Sequence, residues 1–484
     1  MDIVVSNRVA RVTPGGPMMG GLASALLPAV RKSGVVWFGS SGKLRDTADG
    51  APPLVQLETY GRGTIATVDL PAQHYSGFYE GFANSALWPL LHARPDLAKV
   101  STGDYAAYSE VNAYMARTLA AFAGRESTIW VHDYHFLPLG AELRALGVDR
   151  EIGFFLHTPW PSRRIMARLP QYRDLAHAML AYDLIGFQTD RDRDNFAELL
   201  RTDMRLPGSG LTFRTHRGLC RLATHPIGID AREFSASAER SFQDAEVRRL
   251  RNSLDGAKLI IGVDRLDYSK GLTHRIHAFD RMLRQHPDMS RKLSMLQIAV
   301  PSRCAIDAYR DLHREVAALV GEVNGRHGEV DWTPLRYLNK GYSQATLAGF
   351  YRSSAVALIT PLLDGMNLVA KEYVAAQNPE DPGVLVLSRY AGAANELDAA
   401  LLVDPQDIEA TARALGTALA MPRSERRVRW QHMNDRLMRH SIHRWFADFM
   451  EDLKTPRPNV LPLTGAATPA SRTTAQGRAL VAHS

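Results

Sequence analysis

The sequence predicts an α/β protein with two doubly wound domains. Short apolar, β-branched runs alternate with helix-like segments along nearly all of the 484 residues. Strands that are apolar throughout are typical of sheets buried on both faces, and alternation with helices indicates parallel pairing. The polar, strand-poor stretch 231–251 interrupts this alternation and divides it into two series.

The predicted elements follow from apolar runs and their spacing. Strands are predicted at 3–6, 35–38, 128–131, 152–156 and 184–187, then at 259–263, 295–300, 355–360 and 384–387. One helix has a single apolar stripe, formed at i, i+3, i+4, i+7 and i+8 by Leu22, Ala25, Leu26, Ala29 and Val30. Helices at 424–439 and 442–453 end the folded part. The segment 455–484, rich in Pro, Ala, Thr, Ser and Gly, is predicted to be a disordered tail.

Composition excludes several classes of protein. Hydrophobic residues make up 45% and charged residues 23%, as in globular proteins. The chain has neither an apolar run of membrane-spanning length nor a basic signal-peptide start, and its two cysteines, Cys220 and Cys304, give no disulfide framework. We therefore expect a cytoplasmic protein. The net charge of +7 suits an anionic small molecule, and without a nucleic-acid signature neither nucleic acid nor membrane is expected as a partner.

Two glycine-containing loops lie near the N-terminus. Arg8 follows the first strand, and Gly20-Gly21 open the next helix, where bare backbone and helix amides suit a phosphate or sugar. A plain strand–helix connection fits the same spacing, so both interpretations stay open. The segment 39–43 is not a phosphate-binding loop, because Trp37 and Leu44 occupy positions that such a loop gives to Gly and to Ser or Thr.

Histidines and aspartates follow the middle strands of the first series. Asp133 lies between His132 and His135, and His157 ends the next strand; Asp133 could accept hydrogen bonds from sugar hydroxyls. A metal at the histidines is disfavoured, since no third ligand cluster accompanies them. The Asp-x-Asp at 190–192 resembles a metal-dependent nucleotide site, but it begins a predicted helix, and acids that complement the helix dipole are the favoured interpretation.

The second series has the strongest candidate site. Arg265, Lys270 and Arg303 follow strands, and fixed cations can neutralise a leaving diphosphate without a metal. Two basic residues on the surface without a ligand would have the same spacing as Arg265 and Lys270, so this alternative stays open. Asp364 lies in the loop after a further strand, and Glu372 lies one turn into a helix, where a carboxylate suits a ribose diol. Cations and carboxylates together at strand ends favour a nucleotide–phosphate site.

Several segments closely resemble the trehalose-6-phosphate synthases, retaining glycosyltransferases of family 20. They are 5–8, 20–22, 84–89, 130–138, 153–161, 264–271, 332–339, 364–376 and 391–397. The resemblance implies a GT-B fold, in which two Rossmann-like domains face each other across a catalytic cleft. It also implies metal-independent glucosyl transfer from UDP-glucose to glucose 6-phosphate, giving α,α-trehalose 6-phosphate and UDP. No cofactor is expected.

The resemblance also implies domains and residue roles. Residues 1–235 would form the acceptor domain and 236–440 the nucleotide-sugar domain, with 441–454 packing back on the first. The acceptor, glucose 6-phosphate, would be held by Arg8, Tyr79, Trp88, Asp133 and Arg303. The donor would be held by Gly20, Gly21, Arg265, Lys270, Tyr342, Leu368, Val369, Ala370, Lys371 and Glu372. The catalytic group would be Asp133, His157, Arg265, Lys270 and Asp364, with Asp364 and His157 near the glucosyl unit.

The sequence departs from the family at three positions and leaves alternatives open. Ser40 replaces a Trp, Gly341 replaces a His before Tyr342, and Leu363 replaces an Arg, and these changes bear on donor preference and loop closure. The residues themselves do not decide whether the donor nucleotide is UDP, ADP or GDP. They are also compatible with a homo-oligomer. A synthase that uses glycerol 3-phosphate or a pseudo-sugar, and a non-catalytic sugar-phosphate sensor, are the alternative functions.

Overall fold

The computed structural model describes residues 2–9, 21–46, 53–124 and 127–455. Gly20 and the predicted tail beyond Thr455 lie outside these residues. Within them the chain forms two mostly parallel sheets flanked by helices, in agreement with the predicted fold class. No helix in the described ranges is long and apolar enough to cross a membrane.

The first sheet has ten strands within the described ranges, in the order β3-β4-β2-β1-β5-β6-β7-β10-β9-β8. They are β1 (Asp2–Arg8), β2 (Val36–Arg45), β3 (Gln56–Tyr60), β4 (Gly63–Pro71), β5 (Thr128–His132), β6 (Ile152–Leu156), β7 (Leu184–Phe187), β8 (Gly208–Ser209), β9 (Thr212–Thr215) and β10 (Gly218–Thr224). Antiparallel pairing is confined to the two edges, at β3–β4 and at β8–β9–β10. The central strands β5, β6 and β7 are buried along their whole length, which explains their uninterrupted apolar sequences.

The helices between these strands are α1 (Gly21–Ser33), α2 (Ala72–Tyr75), α3 (Trp88–Leu91), α4 (Thr102–Phe122), α5 (Leu139–Ala145), α6 (Arg163–Met166), α7 (Tyr172–Met179) and α8 (Asp190–Thr202). A π-helical segment, Ser76–Leu87, joins α2 to α3. In α1, the described side chains Leu26, Ala29 and Val30 are buried, as the predicted stripe requires.

The second sheet is parallel throughout and has the order β13-β12-β11-β14-β15-β16, the order typical of Rossmann domains. Its strands are β11 (Lys258–Arg265), β12 (Leu293–Val300), β13 (Leu335–Leu338), β14 (Val356–Ile359), β15 (Val384–Ser388) and β16 (Leu401–Val403). The remaining helices are α9 (Ala231–Ser241), α10 (Ala245–Asn252), α11 (Leu272–Gln285), α12 (Asp307–His327), α13 (Gln344–Arg352), α14 (Leu368–Ala376), α15 (Ile408–Ala420), α16 (Arg423–Arg439) and α17 (Ile442–Lys454).

The chain passes between the two sheets at two adjacent segments. Ile442 N donates to Ile229 O at 3.2 Å, and a Cβ on Gly228 would lie 2.1 Å from His440 O, so the two segments touch through bare backbone. Beyond this point α17 lies on the first sheet, where Phe449 stacks on Trp130 with ring centroids 4.2 Å apart. Helix α9 continues through residue 235 without a break.

Candidate active site

The ends of the central strands place the predicted residues along one edge of each sheet. Asp133 and His157 directly follow β5 and β6, and Arg265 ends β11. Carboxyl ends of parallel strands meet at the same edge of a sheet, where open α/β sheets bind ligands. Side chains from the two sheets also contact each other here, where Arg303 meets Tyr134 and Trp88.

Arg303 joins the two sheets. It follows β12 in a left-handed conformation, with φ of 51°, and its side chain is 4% exposed. Nη1 donates to Asp267 Oδ2 at 3.3 Å and to the Tyr309 hydroxyl at 2.5 Å, whereas Nη2 donates to the Tyr134 hydroxyl at 2.9 Å. Arg303 Nε is buried and has no partner among the described residues. The N–H of Nε therefore remains for an anion.

The Trp88 indole packs against a guanidinium and an imidazole. The Arg303 guanidinium carbon is 3.9 Å from the indole centroid, and the His92 ring centroid is 4.0 Å from it. Both groups therefore pack directly against the indole. Trp88 Nε1 donates to Asp267 Oδ1 at 3.4 Å, and burial lowers the pKa of His92 to about 4, so this imidazole is neutral. Tyr79, the other predicted aromatic, stacks on His135 at 5.8 Å.

Asp267 balances the cations of the site. It is fully buried and accepts from Arg303, and Arg265 Nη2 lies 3.9 Å from its Oδ2. Burial raises the pKa of Asp267, but Arg303 and Arg265 outweigh this effect and bring it to about 2. The Arg265 side chain is 41% exposed and lies 5.2 Å from the Trp88 centroid. Arg265 is therefore the more accessible of the two arginines.

Arg8 is exposed at the end of β1 and lies against Gly42, in the part of β2 where its register with β4 shifts. A Cβ on Gly42 would be 2.8 Å from Arg8 Nη2, and Gly42 has φ of +83°. Glycine is required there both for the turn and for the close approach of the guanidinium. The Ser40 hydroxyl accepts from Gly42 N at 3.1 Å.

Asp133 and His157 lie side by side at the ends of β5 and β6. Asp133 has φ of 75°, and its Oδ1 accepts from His157 N at 3.3 Å. Burial raises the pKa of Asp133 to about 6, against the opposing effect of Arg265 and Arg303. The carboxyl group is therefore a weaker acid than an exposed aspartate.

The His157 carbonyl lies against Gly365 of the other sheet. A Cβ on Gly365 would be 2.0 Å from His157 O, and φ of Gly365 is outside the left-handed region. The glycine is thus needed for close approach between the two halves of the site, and not for a conformation that excludes other residues.

Lys270 and Asp364 form an ion pair at 2.5 Å. Asn367 Nδ2 also donates to Asp364 Oδ2, at 3.1 Å. Burial raises the pKa of Asp364, but Lys270 outweighs it and holds the pKa below its ordinary value. Asp364 is therefore ionised, and its charge is shared between a lysine and an amide.

Helix α14 directs its first turn into the site. Asn367, with φ of 79°, caps the helix by accepting from Ala370 N at 3.1 Å. The amides of Leu368 and Val369 lie in the first turn, where helix N–H groups have no acceptor within the helix, so they suit an anion. Lys371 is fully buried, and its ammonium binds Ile227 O at 2.7 Å and the Glu396 carboxylate.

Glu372 is a buried acid, and one of its carboxyl oxygens is free to bind a ligand. It is 2% exposed, and its Oε2 has no partner within the described ranges. Burial raises the pKa of Glu372 to about 8, although a hydrogen bond with Gln344 opposes this. The carboxyl group is therefore neutral at pH 7 and able to donate as well as accept. Tyr342 is half-buried two residues before Gln344, with Lys340 Nζ 4.9 Å from its ring centroid.

A family model described as glycosyltransferase family 20 matches residues 12–455. The chain belongs to this family. It is 45% identical to the trehalose-6-phosphate synthase of Sinorhizobium fredii over 461 residues, covering 93% of this chain and 97% of the relative. The corresponding protein of Enterobacter sp. is 41% identical, with 94% and 95% covered.

Solved structures of family members resemble the whole fold. A crystal structure of an α,α-trehalose-phosphate synthase (UDP-forming) from Burkholderia xenovorans in complex with glucose-6-phosphate has a TM-score of 0.90 and 42% identity, covering 94% of this chain and 99% of that one. A structure from E. coli bound with UDP-2-fluoro glucose has a TM-score of 0.88 and 39% identity, covering 95% and 100%. The fold of this family member is GT-B, as the sequence predicts.

The Asp-x-Asp at 190–192 is part of a helix start, as expected. Thr189 Oγ1 accepts from Asp192 N at 3.2 Å, and Asp192 Oδ1 accepts from Trp160 N at 3.2 Å, so Asp192 is buried inside the domain. Within the described ranges, no group of three or more His, Cys, Asp and Glu residues could hold a metal.

Several residues that hold Arg303 and Trp88 in place were not among the predicted site residues. Asp267, Tyr134 and Tyr309 fix Arg303, and His92 covers one face of Trp88. Asp267 and Tyr134 lie inside segments that the sequence already indicated as part of the site, at 264–271 and 132–135. His92 lies one helical turn after Trp88, outside the motifs singled out in the sequence.

Proposed function

We propose that this family member is a retaining glucosyltransferase that moves glucose from UDP-glucose to glucose 6-phosphate, giving α,α-trehalose 6-phosphate and UDP. The similarity to the Burkholderia xenovorans structure in complex with glucose-6-phosphate, over 94% of this chain, carries the proposal. The arrangement of cations around the cleft supports it independently, since both substrates are phosphate esters.

The acceptor would bind between the two sheets. Its phosphate would meet Arg8 and the buried, unpartnered Nε of Arg303, since guanidinium groups match phosphate oxygens in pairs. Tyr79 and Trp88 would contact the sugar, and Asp133 would accept from its hydroxyls.

The donor would bind along the second sheet. Arg265, Lys270 and the first-turn amides of Leu368 and Val369 would surround the diphosphate. The neutral Glu372 would both donate to and accept from the ribose diol. Gly20 and Gly21, Tyr342, Ala370 and the backbone of Lys371 complete the proposed donor contacts.

The reaction breaks the bond between glucose C1 and the diphosphate oxygen and forms a bond from C1 to the anomeric oxygen of the acceptor. The electron pair of the broken bond leaves with UDP, and Arg265 and Lys270 stabilise the charge that develops there. The acceptor hydroxyl would give up its proton to the leaving diphosphate, which holds the electron pair of the broken bond. We include metal independence in the proposal, because these two cations supply the stabilisation that a divalent ion gives elsewhere.

A coupled assay of UDP release separates the alternatives. We expect release with glucose 6-phosphate and little with glycerol 3-phosphate, because Tyr79 and Trp88 suit a pyranose ring. Release with glycerol 3-phosphate or a pseudo-sugar instead would indicate a related synthase, and binding without release would indicate a sensor. A cytoplasmic site of action belongs to the proposal, and the exposed Cys304 thiol suits a reducing compartment.

A further inference from the structure

Both ring nitrogens of His157 are engaged by side chains from the neighbouring strands. Nδ1 lies 3.2 Å from Gln188 Nε2, and Nε2 lies 3.0 Å from His132 Nδ1. His132 ends β5, His157 follows β6, and Gln188 follows β7, so three adjacent strand ends form one row of side chains.

A backbone amide sets the direction of this row. Ile227 N lies 2.9 Å from Gln188 Oε1, and because a backbone N–H can only donate, the amide oxygen of Gln188 must face it. The NH2 group of Gln188 then faces His157. Nδ1 of His157 therefore accepts, and a neutral ring has to carry its proton on Nε2.

The same arrangement opposes a charged His157. A proton on Nδ1 would face the NH2 group of Gln188, so two donors would meet without an acceptor. Burial acts in the same direction and lowers the pKa of His157 to about 3. The proton on Nε2 is donated to His132 Nδ1, which places the proton of His132 on its own Nε2. That atom is buried without a hydrogen-bond partner in the described part of the chain, and the centroid of the His132 ring lies 4.5 Å from that of Trp130.

We propose that Gln188 and His132 are positioning residues that hold His157 as a neutral ring with its proton on Nε2. His157 is then not a general base, since Nδ1 accepts from Gln188 and Nε2 is a donor. The ring instead fixes its own main chain, whose N–H binds Asp133 and whose carbonyl touches Gly365. The kinetic consequence rests on the proposed function, whereas the tautomer is a property of the free protein.

The tautomer is measured by NMR on the full-length protein labelled with 15N and 13C in histidine, near neutral pH. The spectrum of His157→Gln identifies the signals of His157. We expect an unprotonated Nδ1 and a protonated Nε2. In Gln188→Glu the carboxylate accepts from both Ile227 N and the ring, so a proton should appear on Nδ1. We expect kcat to fall about 10- to 100-fold, as for misplaced catalytic groups.

Two further variants separate positioning from stability. His132→Asn keeps an acceptor near the position of Nδ1 and should preserve the proton on Nε2. Gln377→Glu makes the same change at another buried glutamine, which accepts from Gly383 N at 2.8 Å, and should leave the tautomer of His157 unchanged.

A proton on Nδ1 in the unmodified protein, or a tautomer unaltered by Gln188→Glu, would overturn the inference. The measurement on the unmodified protein stands even if Gln188→Glu does not fold. Absence of UDP release would overturn the proposed function and leave the tautomer result in place.

Discussion

The guanidinium carbon of Arg303 lies 3.9 Å from the centroid of the Trp88 indole. Arg303 follows β12 of the second sheet, and Trp88 begins α3 beside the first sheet. A cation over an indole face is attracted by the ring quadrupole. Together with the hydrogen bond from Trp88 to Asp267, this contact ties the arginine proposed to bind phosphate to an aromatic residue proposed to contact the acceptor sugar.

Replacing Arg303 should weaken acceptor binding selectively. A charge-assisted hydrogen bond contributes roughly 1.5–3 kcal/mol, so we expect Arg303→Ala to lower kcat/KM for glucose 6-phosphate by about one to two orders of magnitude. Arg303→Lys should recover only part of it, because lysine lacks the planar fork. The Michaelis constants for both substrates are the measurement.

Arg310→Ala is the matched control, since Arg310 lies on α12 in an exposed pair with Asp307. It should leave both constants unchanged. A rise in the constant for UDP-glucose but not for glucose 6-phosphate in Arg303→Ala would assign Arg303 to the donor instead.

Removal of divalent metals should leave turnover unchanged. Arg265 and Lys270 are expected to stabilise the leaving diphosphate, a task that metal-dependent enzymes give to a bound ion. UDP release is measured before and after treatment with EDTA. Loss of activity that magnesium or manganese restores would contradict the assignment of these two cations.

Local pattern was sufficient for the central strands and insufficient for the sheet edges. Each predicted strand overlaps an observed one, because strands such as β6 are apolar along their whole length. Strand β3 was missed because most of its residues are exposed and leave no apolar run. Strand β13 was missed because it is short and only partly buried.

Residues at strand ends could be predicted, whereas contacts between the sheets could not. Arg265 and Arg303 were found because parallel sheets bind ligands at their carboxyl ends. The contact of Gly365 with His157 joins residues far apart in sequence, and nothing near Gly365 indicates it. The burial of the Lys371 ammonium beside Glu396 likewise depends on tertiary packing.

Adding one methyl group at Gly365 should impair the enzyme. A Cβ there would lie 2.0 Å from His157 O, which is backbone and cannot rotate away. We expect Gly365→Ala to separate the two halves of the site and lower kcat about 100-fold, as for a misplacement on the order of 1 Å.

Gly321→Ala is the control, because Gly321 lies within α12 and an added Cβ meets nothing within 4 Å. It should raise stability by about 0.4–1 kcal/mol without changing kcat. Wild-type kcat in Gly365→Ala would mean that the contact with His157 is not needed for turnover.

The last prediction concerns the pH dependence of stability through Glu372. Burial raises the pKa of this acid from 4.5 to about 8 in the folded protein. Between these two values the folded protein holds a proton that the unfolded chain has released. The free energy of unfolding contributed by Glu372 therefore falls as pH rises through this window, by at most about 1.4 kcal/mol per pH unit, and is constant above and below it.

Glu372→Gln removes this titration while keeping a neutral side chain of the same shape. We expect the free energy of unfolding of the variant, relative to wild type, to grow by a few kcal/mol from about pH 5 to about pH 8, as measured by urea unfolding at several pH values. Glu380→Gln, at a side chain that is 67% exposed, should give a difference independent of pH. If the difference for Glu372→Gln is equally flat, Glu372 is ionised in the folded protein, and the ribose would then meet a carboxylate that can only accept hydrogen bonds.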